Sequence, residues 1–407
     1  MRRHDTNILI LTAFLLMAAC DSDEELQGGV IPNSNLPVEF DANMNMGFTD
    51  YTRAVNEVNS ISDLASKGGF GVFGCYTGLH DYISSDVHPD FMYNQQVTYN
   101  NSTSKWDYNP LKYWPNGEGE ATGHTGASVH KVSFFAYAPY SDNATGATGY
   151  CIPSFSKQQE IGNPWLTYRL HTDVASQVDL LCATPLLDQQ KPADAANSRL
   201  IFNFKHALAC VGDKVTLKCS DEMRTTIAAK LADGSVYTDV EVLLTNVSIT
   251  YTLTEKGRLV LWNGGDMNWE TILSEAPQTK RTVEIVSSTG TARQVYVKNF
   301  NNDATVTSWE DSGHGVFYIP IELSTYPQTA LISVTYQVRY TKAAGGVQSD
   351  SPVTGTATIT LNGYPNAYQP GKHLYFNIIV DNVAVRVSGA IEPWDAQTST
   401  PIVTESD

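Results

Sequence analysis

The sequence predicts an all-β protein of two tandem β-sandwich-like domains, mostly antiparallel and with few short helices. Apolar and polar residues alternate along residues 332–341, which is typical of a strand with one buried face. Similar segments recur along the chain, at 129–138, 178–183, 199–204, 214–219, 247–254, 293–298, 316–323, 353–361, 372–380 and 383–391. They do not alternate with long helical segments, which argues against Rossmann and TIM-barrel architectures.

Length and charge limit the class of protein further. The chain has 407 residues, which is enough for two domains with cores of their own. Its 43 acidic and 26 basic residues give a net charge of −17, which argues against nucleic-acid binding because phosphate contacts need Lys and Arg. Only 17% of the residues are charged, which argues against a coiled coil and against disorder.

The first 19 residues predict a signal peptide. Arg2 and Arg3 form a basic start, and an apolar run of about 12 residues follows, too short to span a bilayer. The run ends at Ala18-Ala19-Cys20, which resembles a bacterial lipobox, with Met17 where that motif prefers Leu. We therefore expect Cys20 to be lipidated and to anchor the protein through its acyl chains.

Residues 20–36 predict an acidic, flexible tether. Its acidic residues resemble the export signal of surface-exposed bacterial lipoproteins: Asp21, Asp23, Glu24 and Glu25. The alternative is that these carboxylates only keep the tether solvated.

The segment after the tether begins the predicted N-terminal domain, residues 37–192. Residues 60–67 predict two helical turns closed by Gly68-Gly69. The letters of 69–74 (GFGVFG) match a phosphate-binding G-x-G-x-x-G, but that motif needs a strand before it and a helix after it. A glycine-rich strand start is the better interpretation.

Motifs for catalysis or metal binding are weak. Glu118, Glu120, His124 and His130 stand in a Gly-rich segment whose spacing selects no metal, so a solvated loop is the favoured interpretation. No G-x-S-x-G, H-E-x-x-H or P-loop occurs. Paired carboxylates for glycoside hydrolysis cannot be placed from sequence. We predict no catalytic residues, no metal and no cofactor.

An aromatic cluster occupies residues 106–115, with Trp106, Tyr108, Tyr113 and Trp114. Such rings either stack on sugars, as a glycan platform, or bury large areas in a core. Both interpretations stay open, and the burial of Tyr113 and Trp114 distinguishes them.

The polar stretch 188–198 predicts a boundary, with a C-terminal domain at 193–394 and a tail at 395–407. Residues 221–231 predict a short helix. The cysteines after Cys20 are odd in number and form no C-x-x-C: Cys75, Cys151, Cys182, Cys210 and Cys219. With a turn at Gly212-Asp213, Cys210 would not face Cys219, so we expect mostly buried free thiols and at most one disulfide.

Several of these segments together resemble the fimbrillin-like family of Bacteroidetes. They are the block from Trp106 to Pro115, the strand 132–139, Phe70 to Phe73, the V-D-L-L-C-A strand at 178–183, the F-x-F-K-H-A-L-A element at 202–209, and the closing strand from Val383 to Trp394. The resemblance covers most of residues 37–394 in order. Members of this family are pilins of lipoprotein-derived, protease-assembled pili.

The resemblance implies two tandem transthyretin-like β-sandwich domains and a route of assembly. An arginine-specific protease removes an early strand, and a strand from a neighbouring subunit fills the groove by β-augmentation. The matching positions here are a removable segment at 37–53, with cleavage between Arg53 and Ala54. Arg53 as a solvated loop residue is the alternative. The tail is short for a stalk subunit, so stalk, tip and anchor roles stay open.

The expected function is thus a non-enzymatic, adhesive pilus subunit at the bacterial surface, held at the outer membrane as a lipidated precursor. Its expected partners are other pilin subunits, the outer membrane, an arginine-specific protease, and host or bacterial surface glycans or proteins. The alternative function is a glycan-binding surface lipoprotein that uses the aromatic cluster. A hydrolase is the third and least supported class.

Overall fold

A computed structural model describes residues 36–44, 58–84, 86–115, 130–142, 151–192, 198–272, 278–286, 307–309, 315–322, 327–364, 366–381, 385–393 and 402–405. Strands dominate these residues, so the predicted all-β class is confirmed. None of the helices in the described part of the chain is both long enough and apolar enough to cross a membrane.

The strands of the first half, with helix α1, are β1 (Glu39–Met44), α1 (Ile61–Ser66), β2 (Phe70–Gly78), β3 (Met92–Asn100), β4 (Lys105–Asp107), β5 (Lys131–Ala138), β6 (Cys151–Phe155), β7 (Trp165–Arg169), β8 (Leu181–Ala183), β9 (Leu186–Gln190) and β10 (Arg199–His206).

The elements of the second half are β11 (Ala209–Cys219), α2 (Asp221–Leu231), β12 (Tyr237–Thr254), β13 (Lys256–Val260), β14 (Asn268–Glu270), β15 (Gln278–Val286), β16 (Thr307–Trp309), β17 (Val316–Tyr318), β18 (Thr329–Lys342), β19 (Val347–Ser349), β20 (Val353–Thr360), β21 (Lys372–Val380), β22 (Val385–Pro393) and β23 (Ile402–Glu405).

Both predicted helices form, and each begins at a serine cap. The Ser60 hydroxyl accepts a hydrogen bond from the backbone N–H of Asp63 at 3.0 Å, and Ser220 accepts one from Met223 at 3.0 Å. These bonds satisfy backbone donors that the first helical turn leaves unpaired.

The first sheet runs in the order β1-β10-β8-β5-β2-β3-β4, with β9 also paired to β5. Its central strands are buried on both faces, which explains the nearly continuous apolar run of β5. One face lines the first core, which contains Phe70, Phe134 and Phe202. The other face contributes Phe73 and Tyr137 to a second, intermediate core.

The glycine-rich segment is the start of β2, as the sequence predicted. Gly69 has a φ of +78°, and a Cβ there would overlap the carbonyl oxygen of Val97 on β3. A Cβ on Gly71 would lie 2.5 Å from the ring of Tyr137. These glycines allow close packing between strands and open no helix, so the phosphate-binding interpretation is not supported.

The intermediate core is covered by a small sheet in the order β14-β13-β7-β6. Leu166 of β7, Leu259 of β13 and Trp269 of β14 contribute to it. The indole Nε1 of Trp269 donates to the carbonyl oxygen of Ala207 at 2.7 Å, which ties this sheet to the end of β10.

The third core lies in a sandwich of two sheets. One runs β16-β11-β21-β22-β23 with β17 paired to β11, and the other runs β15-β12-β18-β19 with β20 paired to β18. The alternation along β18 is as predicted: Ile332, Val334 and Tyr336 are buried and Leu331 is exposed. The strand expected at 293–298 lies outside the described residues.

Strand β17 belongs to two cores at once. Val316 and Tyr318 point into the sandwich of the second half, and Phe317 between them points into the intermediate core. Cys210 on the neighbouring β11 also joins the intermediate core, while Ala209 and Val211 join the sandwich. The β11–β17 pair is therefore a wall shared by both.

The strand pairing does not divide the chain at the predicted boundary. Strand β10 follows residues 188–198 and yet pairs with β8 and β1 in the first sheet. In the same way β13 pairs with β7 of the first half. The predicted domains 37–192 and 193–394 are consequently interleaved, with the first sheet reaching His206.

Strand β11 corrects the expected turn at Gly212-Asp213. The chain stays in one strand from Ala209 to Cys219, and its register against β21 shifts between Val211 and Val215. Gly212, at φ +78°, lies in this bulge. Cys75, Cys182 and Cys210 are buried and take part in no disulfide, as expected for them.

Candidate functional site

Strand β1 is an edge strand that fills a slot in the first core. Val38, just before it, has no exposed surface and Phe40 is 2% exposed, while Ala42 and Met44 are partly buried against the same core. The residues between them face outward. This alternation follows from the pleat of a strand, and it means that β1 covers an apolar part of the first core.

One side of the slot is β10, to which β1 pairs in parallel from Glu39↔Arg199 to Met44↔Phe204. In this register Phe40 lies opposite Leu200, and Ala42 opposite Phe202. The inward residues of both strands thus face the same core, and the outward side chains of Asn43 and Asn203 share a hydrogen bond of 2.9 Å.

An aromatic cage surrounds Phe40. Its ring centroid lies 5.5 Å from those of Phe134 and Phe202 and 5.6 Å from that of Tyr108. Aromatic pairs at such spacings add to the free energy gained from burial alone. Phe40 is therefore the main anchor of β1.

The other side of the slot is the segment 105–114. The backbone N–H of Val38 donates to Lys112 O at 2.9 Å, and that of Trp114 donates to Leu36 O at 3.0 Å. The Tyr108 hydroxyl donates to Val38 O at 2.7 Å. We call the slot between β10 and residues 105–114 the β1 groove.

The Tyr108 hydroxyl stays protonated over the physiological pH range. Burial raises the pKa of Tyr108 to about 12, and a backbone hydrogen bond from Lys112 opposes the rise while the Glu39 carboxylate adds to it. A protonated hydroxyl keeps its bond to the backbone of Val38, so pH changes near neutrality leave this contact intact.

Beyond Val38, β1 and β4 face each other across a cavity of about 190 Å³. Val38, Phe40, Trp106 and Tyr108 line it, together with charged residues at its rim. Arg199 at this rim reaches both acidic residues of β1, with Nε 3.5 Å from the Glu39 carboxylate and Nη1 3.7 Å from that of Asp41.

The predicted aromatic cluster divides between core and surface. Trp106 is 6% and Trp114 2% exposed, and Tyr108 is half-buried, so these three belong to the first core and the groove. Tyr113 is 46% exposed. With both indoles inside, a platform for stacking on sugars is not favoured.

A buried pair that sequence reasoning missed fixes the chain after the undescribed segment 45–57. His206 Nδ1 lies 2.8 Å from Asp179 Oδ2, and both side chains are fully buried. The same carboxylate oxygen accepts the backbone N–H of Val58 at 3.2 Å. Asp179 and His206 both lie in segments that resemble the family's sequence elements. That resemblance was the only signal in the sequence, and it did not indicate that the two side chains pair.

Other predicted site residues lie outside the described part of the chain: Cys20, Asp21, Asp23, Glu24, Glu25, Arg53, Ala54, Glu118, Glu120 and His124. His130 is described, and its Nδ1 lies 2.5 Å from the Tyr76 hydroxyl. Within the described residues no group of three or more His, Cys, Asp or Glu side chains is placed to hold a metal ion.

The fold and the groove define a class of protein: a multi-sheet β-sandwich protein whose first core is closed by an edge strand from the N-terminal region. The sequence model of the family described as fimbrillin-like matches residues 52–394, and the chain belongs to that family. The matched range begins after β1.

Two relatives agree with this assignment. The fimbrium subunit Fim1C of Phocaeicola vulgatus is 24% identical over 417 residues, covering 98% of this chain and 99% of the relative. A crystal structure of a fimbrial protein from Bacteroides vulgatus has a TM-score of 0.61 and 19% identity, covering 88% of this chain and 99% of that one. The structural likeness shows the shared fold.

Proposed function

We propose that this protein is a structural, adhesive subunit of a bacterial surface fimbrium, assembled by removal of the segment 37–53 and strand exchange. The observation that carries the proposal is β1 itself. It is an edge strand whose apolar side chains fill an aromatic cage, and its loss would open the β1 groove.

Removal of β1 would leave an unstable surface. The backbone groups of β10 that pair with β1 would lose their hydrogen-bond partners. The rings of Phe134 and Phe202 would become exposed to water. Unpaired strand edges and apolar trenches bind extended segments of other chains. A strand from a neighbouring subunit would restore both the ladder and the core.

Arg53 is suitably placed in sequence for this step. It lies between β1 and Val58, and Val58 is held by Asp179 and buried in the first core. A cut after Arg53 would therefore release β1 and leave α1 attached. The family match, which begins at residue 52, also excludes β1.

The precursor is proposed to reach the surface as an outer-membrane lipoprotein. Cys20 would carry the acyl chains, each buried CH₂ contributing about 0.8 kcal/mol to anchoring, with the acidic cluster as export signal. The role is proposed to be non-enzymatic, and the burial of the Trp106 and Trp114 rings argues against the glycan-binding alternative.

The test is to replace Arg53 in the full chain and to follow its maturation in cells. R53A should keep the precursor size and abolish fibres, because the protease no longer finds its arginine. R53K is the matched control: it keeps the charge and is expected to fail as R53A does. Electron microscopy and N-terminal sequencing of the surface form are the measurements.

Wild-type protein should begin at Ala54. Fibres of normal length from R53A, with an unchanged N-terminus, would show that β1 is not removed there. In a parallel arm, C20A should lose incorporation of labelled palmitate and outer-membrane fractionation. Retention of both would refute the lipid anchor while leaving strand exchange open.

A further inference from the structure

We propose that the outer face of the sheet that contains β12, β18 and β20 is a self-association surface, which binds the same face of a second copy of the chain. The face is made by the outward positions of the three strands. They are Asn246, Ser248, Thr250 and Thr252 on β12, Thr329, Leu331, Ser333 and Thr335 on β18, and Thr354, Thr356, Thr358 and Thr360 on β20. We call this set the threonine face.

Strand pairing places these side chains in regular rows across the sheet. One row runs from Thr250 through Leu331 to Thr358, on strands about 4.8 Å apart. The residues that alternate with them, such as Ile249 and Ile332, are buried in the core of the sandwich. All four threonines of β20 are exposed, and Leu331 is 42% exposed. The face therefore presents ordered hydroxyl and methyl groups around a leucine near its centre.

The threonine face carries no charge, and this favours a second copy as its partner. None of its positions is charged, although 17% of the residues of the chain are and the net charge is −17. Two copies of so acidic a chain repel each other, and the repulsion is smallest where uncharged surfaces meet. On the adjoining strand β15, Lys280 and Glu284 flank Thr282 on the same side of the sheet, and their charges are opposite.

The chemistry of the face is complementary to itself. A hydroxyl group both donates and accepts hydrogen bonds, so two such surfaces can pair without a mismatch. Cross-strand bonds hold part of the array in place: the Oγ1 atoms of Thr250 and Thr282 lie 2.9 Å apart, as do those of Thr335 and Thr354. An apolar centre within an uncharged polar surround is typical of interfaces. In a two-fold pair, Leu331 would contact Leu331 of the second copy.

The size of the face predicts a weak dimer. Four neighbouring strands, each presenting six to eight residues, cover roughly 450 Å² per copy. The total of roughly 900 Å² is below the roughly 1,200 Å² at which stable interfaces begin, so we expect a Kd of about 0.1–1 mM. Subunits repeated along a fimbrium would add up such contacts and hold fibres side by side. Only this extension to fibres rests on the proposed function.

The experiment compares two lysine variants of the full chain by sedimentation velocity, from about 10 to 500 µM. Every sample carries C20A, so that acyl chains do not contribute. The face variant combines Ser333→Lys with Thr356→Lys. The matched control combines Thr103→Lys with Ile161→Lys, two exposed positions on other parts of the surface. Both variants gain the same two positive charges, which by themselves reduce the repulsion between acidic chains.

Wild type and control should show a reversible monomer–dimer equilibrium, which higher salt strengthens by screening the net charge. The face variant should associate at least about tenfold more weakly, because ammonium groups of both copies would meet in the contact. The uncharged variant Leu331→Thr should lose about threefold, because less apolar surface is buried. Near-UV circular dichroism checks that each variant is folded.

Contrary results overturn the inference in two ways. A wild-type chain that stays monomeric up to about 500 µM shows that the face does not self-associate, and the fimbrial function stands because this measurement needs no fibre. Equal association of face variant and control shows that another surface is used. If the face variant is unfolded, Leu331→Thr decides, since association at wild-type strength would exclude the leucine centre.

Electron microscopy of cells tests the extension to fibres. Wild-type fimbriae should lie side by side, and those of the face variant should reach normal length but lie singly. Bundled fibres of the face variant would contradict the lateral contact. A wild-type strain without any fibres would instead count against the proposed function.

Discussion

Over most of its length, β1 is hydrogen-bonded to a neighbouring strand on one side only. The side chain of Phe40 holds it in place. Its ring contacts Tyr108, Phe134 and Phe202, which come from three different parts of the chain. Burying a phenylalanine contributes about 1.5–3 kcal/mol, and the ring contacts add to that. The retention of β1 therefore depends more on this residue than on the exposed ion pairs of Arg199.

The buried thiols give a prediction at the same scale. Burial, aided by the Asp90 carboxylate, raises the pKa of Cys75 to about 12, and burial also raises the pKa of Cys182. Both should stay unmodified by iodoacetamide at pH 8 in the folded protein, because the thiolate is the reactive form. Peptide mapping by mass spectrometry should find them labelled only in denaturant; rapid labelling of folded Cys75 would contradict the described burial.

Individual residues were predicted from sequence only where local pattern determines their environment. The alternation around Ile332 correctly assigned its burial. The aromatic cluster could not be resolved, since Tyr113 is exposed and Trp114 beside it is buried through contacts with distant strands. The Asp179–His206 pair escaped for the same reason, because its partners are 27 residues apart and their burial depends on the whole fold.

Among the secondary-structure elements, β1 and β11 differ most from the predictions made from the sequence. The resemblance implied an early strand within residues 37–53, but the parallel pairing of β1 with β10 was not predicted, because side-chain periodicity carries no information on strand direction. Gly212 looked like a hairpin turn and is instead a bulge in a continuous strand. A left-handed glycine serves both geometries equally well.

The bulge in β11 can be tested by a substitution. A Cβ on Gly212 would overlap the Tyr251 hydroxyl and would also strain a backbone at φ +78°. G212A should lower the free energy of unfolding by about 1–3 kcal/mol, measured by urea denaturation.

Tyr251 provides the internal control for that substitution. Removing its hydroxyl leaves the ring carbon Cζ as the nearest atom of that side chain, 3.2 Å from the added Cβ. G212A should therefore cost less in a Y251F background than in the wild type. Equal costs in the two backgrounds would show that the overlap is absent.

For the whole molecule, the shared wall of β11 and β17 is the main feature. Length predicted two units, whereas the buried side chains of the described residues form three cores, and the intermediate one takes residues from both halves of the sequence. The boundary at 188–198 was inferred from a polar stretch. A polar composition is typical of connecting segments, which can lie between two strands of one sheet as easily as between two domains.

Phe317 allows the coupling between the cores to be measured. Replacing it with alanine removes a ring from the intermediate core and should lower the free energy of unfolding by about 3–5 kcal/mol. Because the wall serves two cores, tryptophan fluorescence and near-UV circular dichroism should report one shared transition at a lower urea concentration. Two separate transitions, of which only one shifts, would show that the halves unfold independently.

The parallel pairing of β1 with β10 has a kinetic consequence. The strands join residues that are 160 positions apart, as between Asn43 and Asn203, so β1 can dock only after half of the chain has been made. Once docked, a strand tethered to its own site acts at an effective concentration of about millimolar or above. A free competitor at lower concentration would be excluded until the tether is cut. On the proposed assembly route, proteolysis would therefore determine when a strand from a neighbouring chain can compete for the β1 groove.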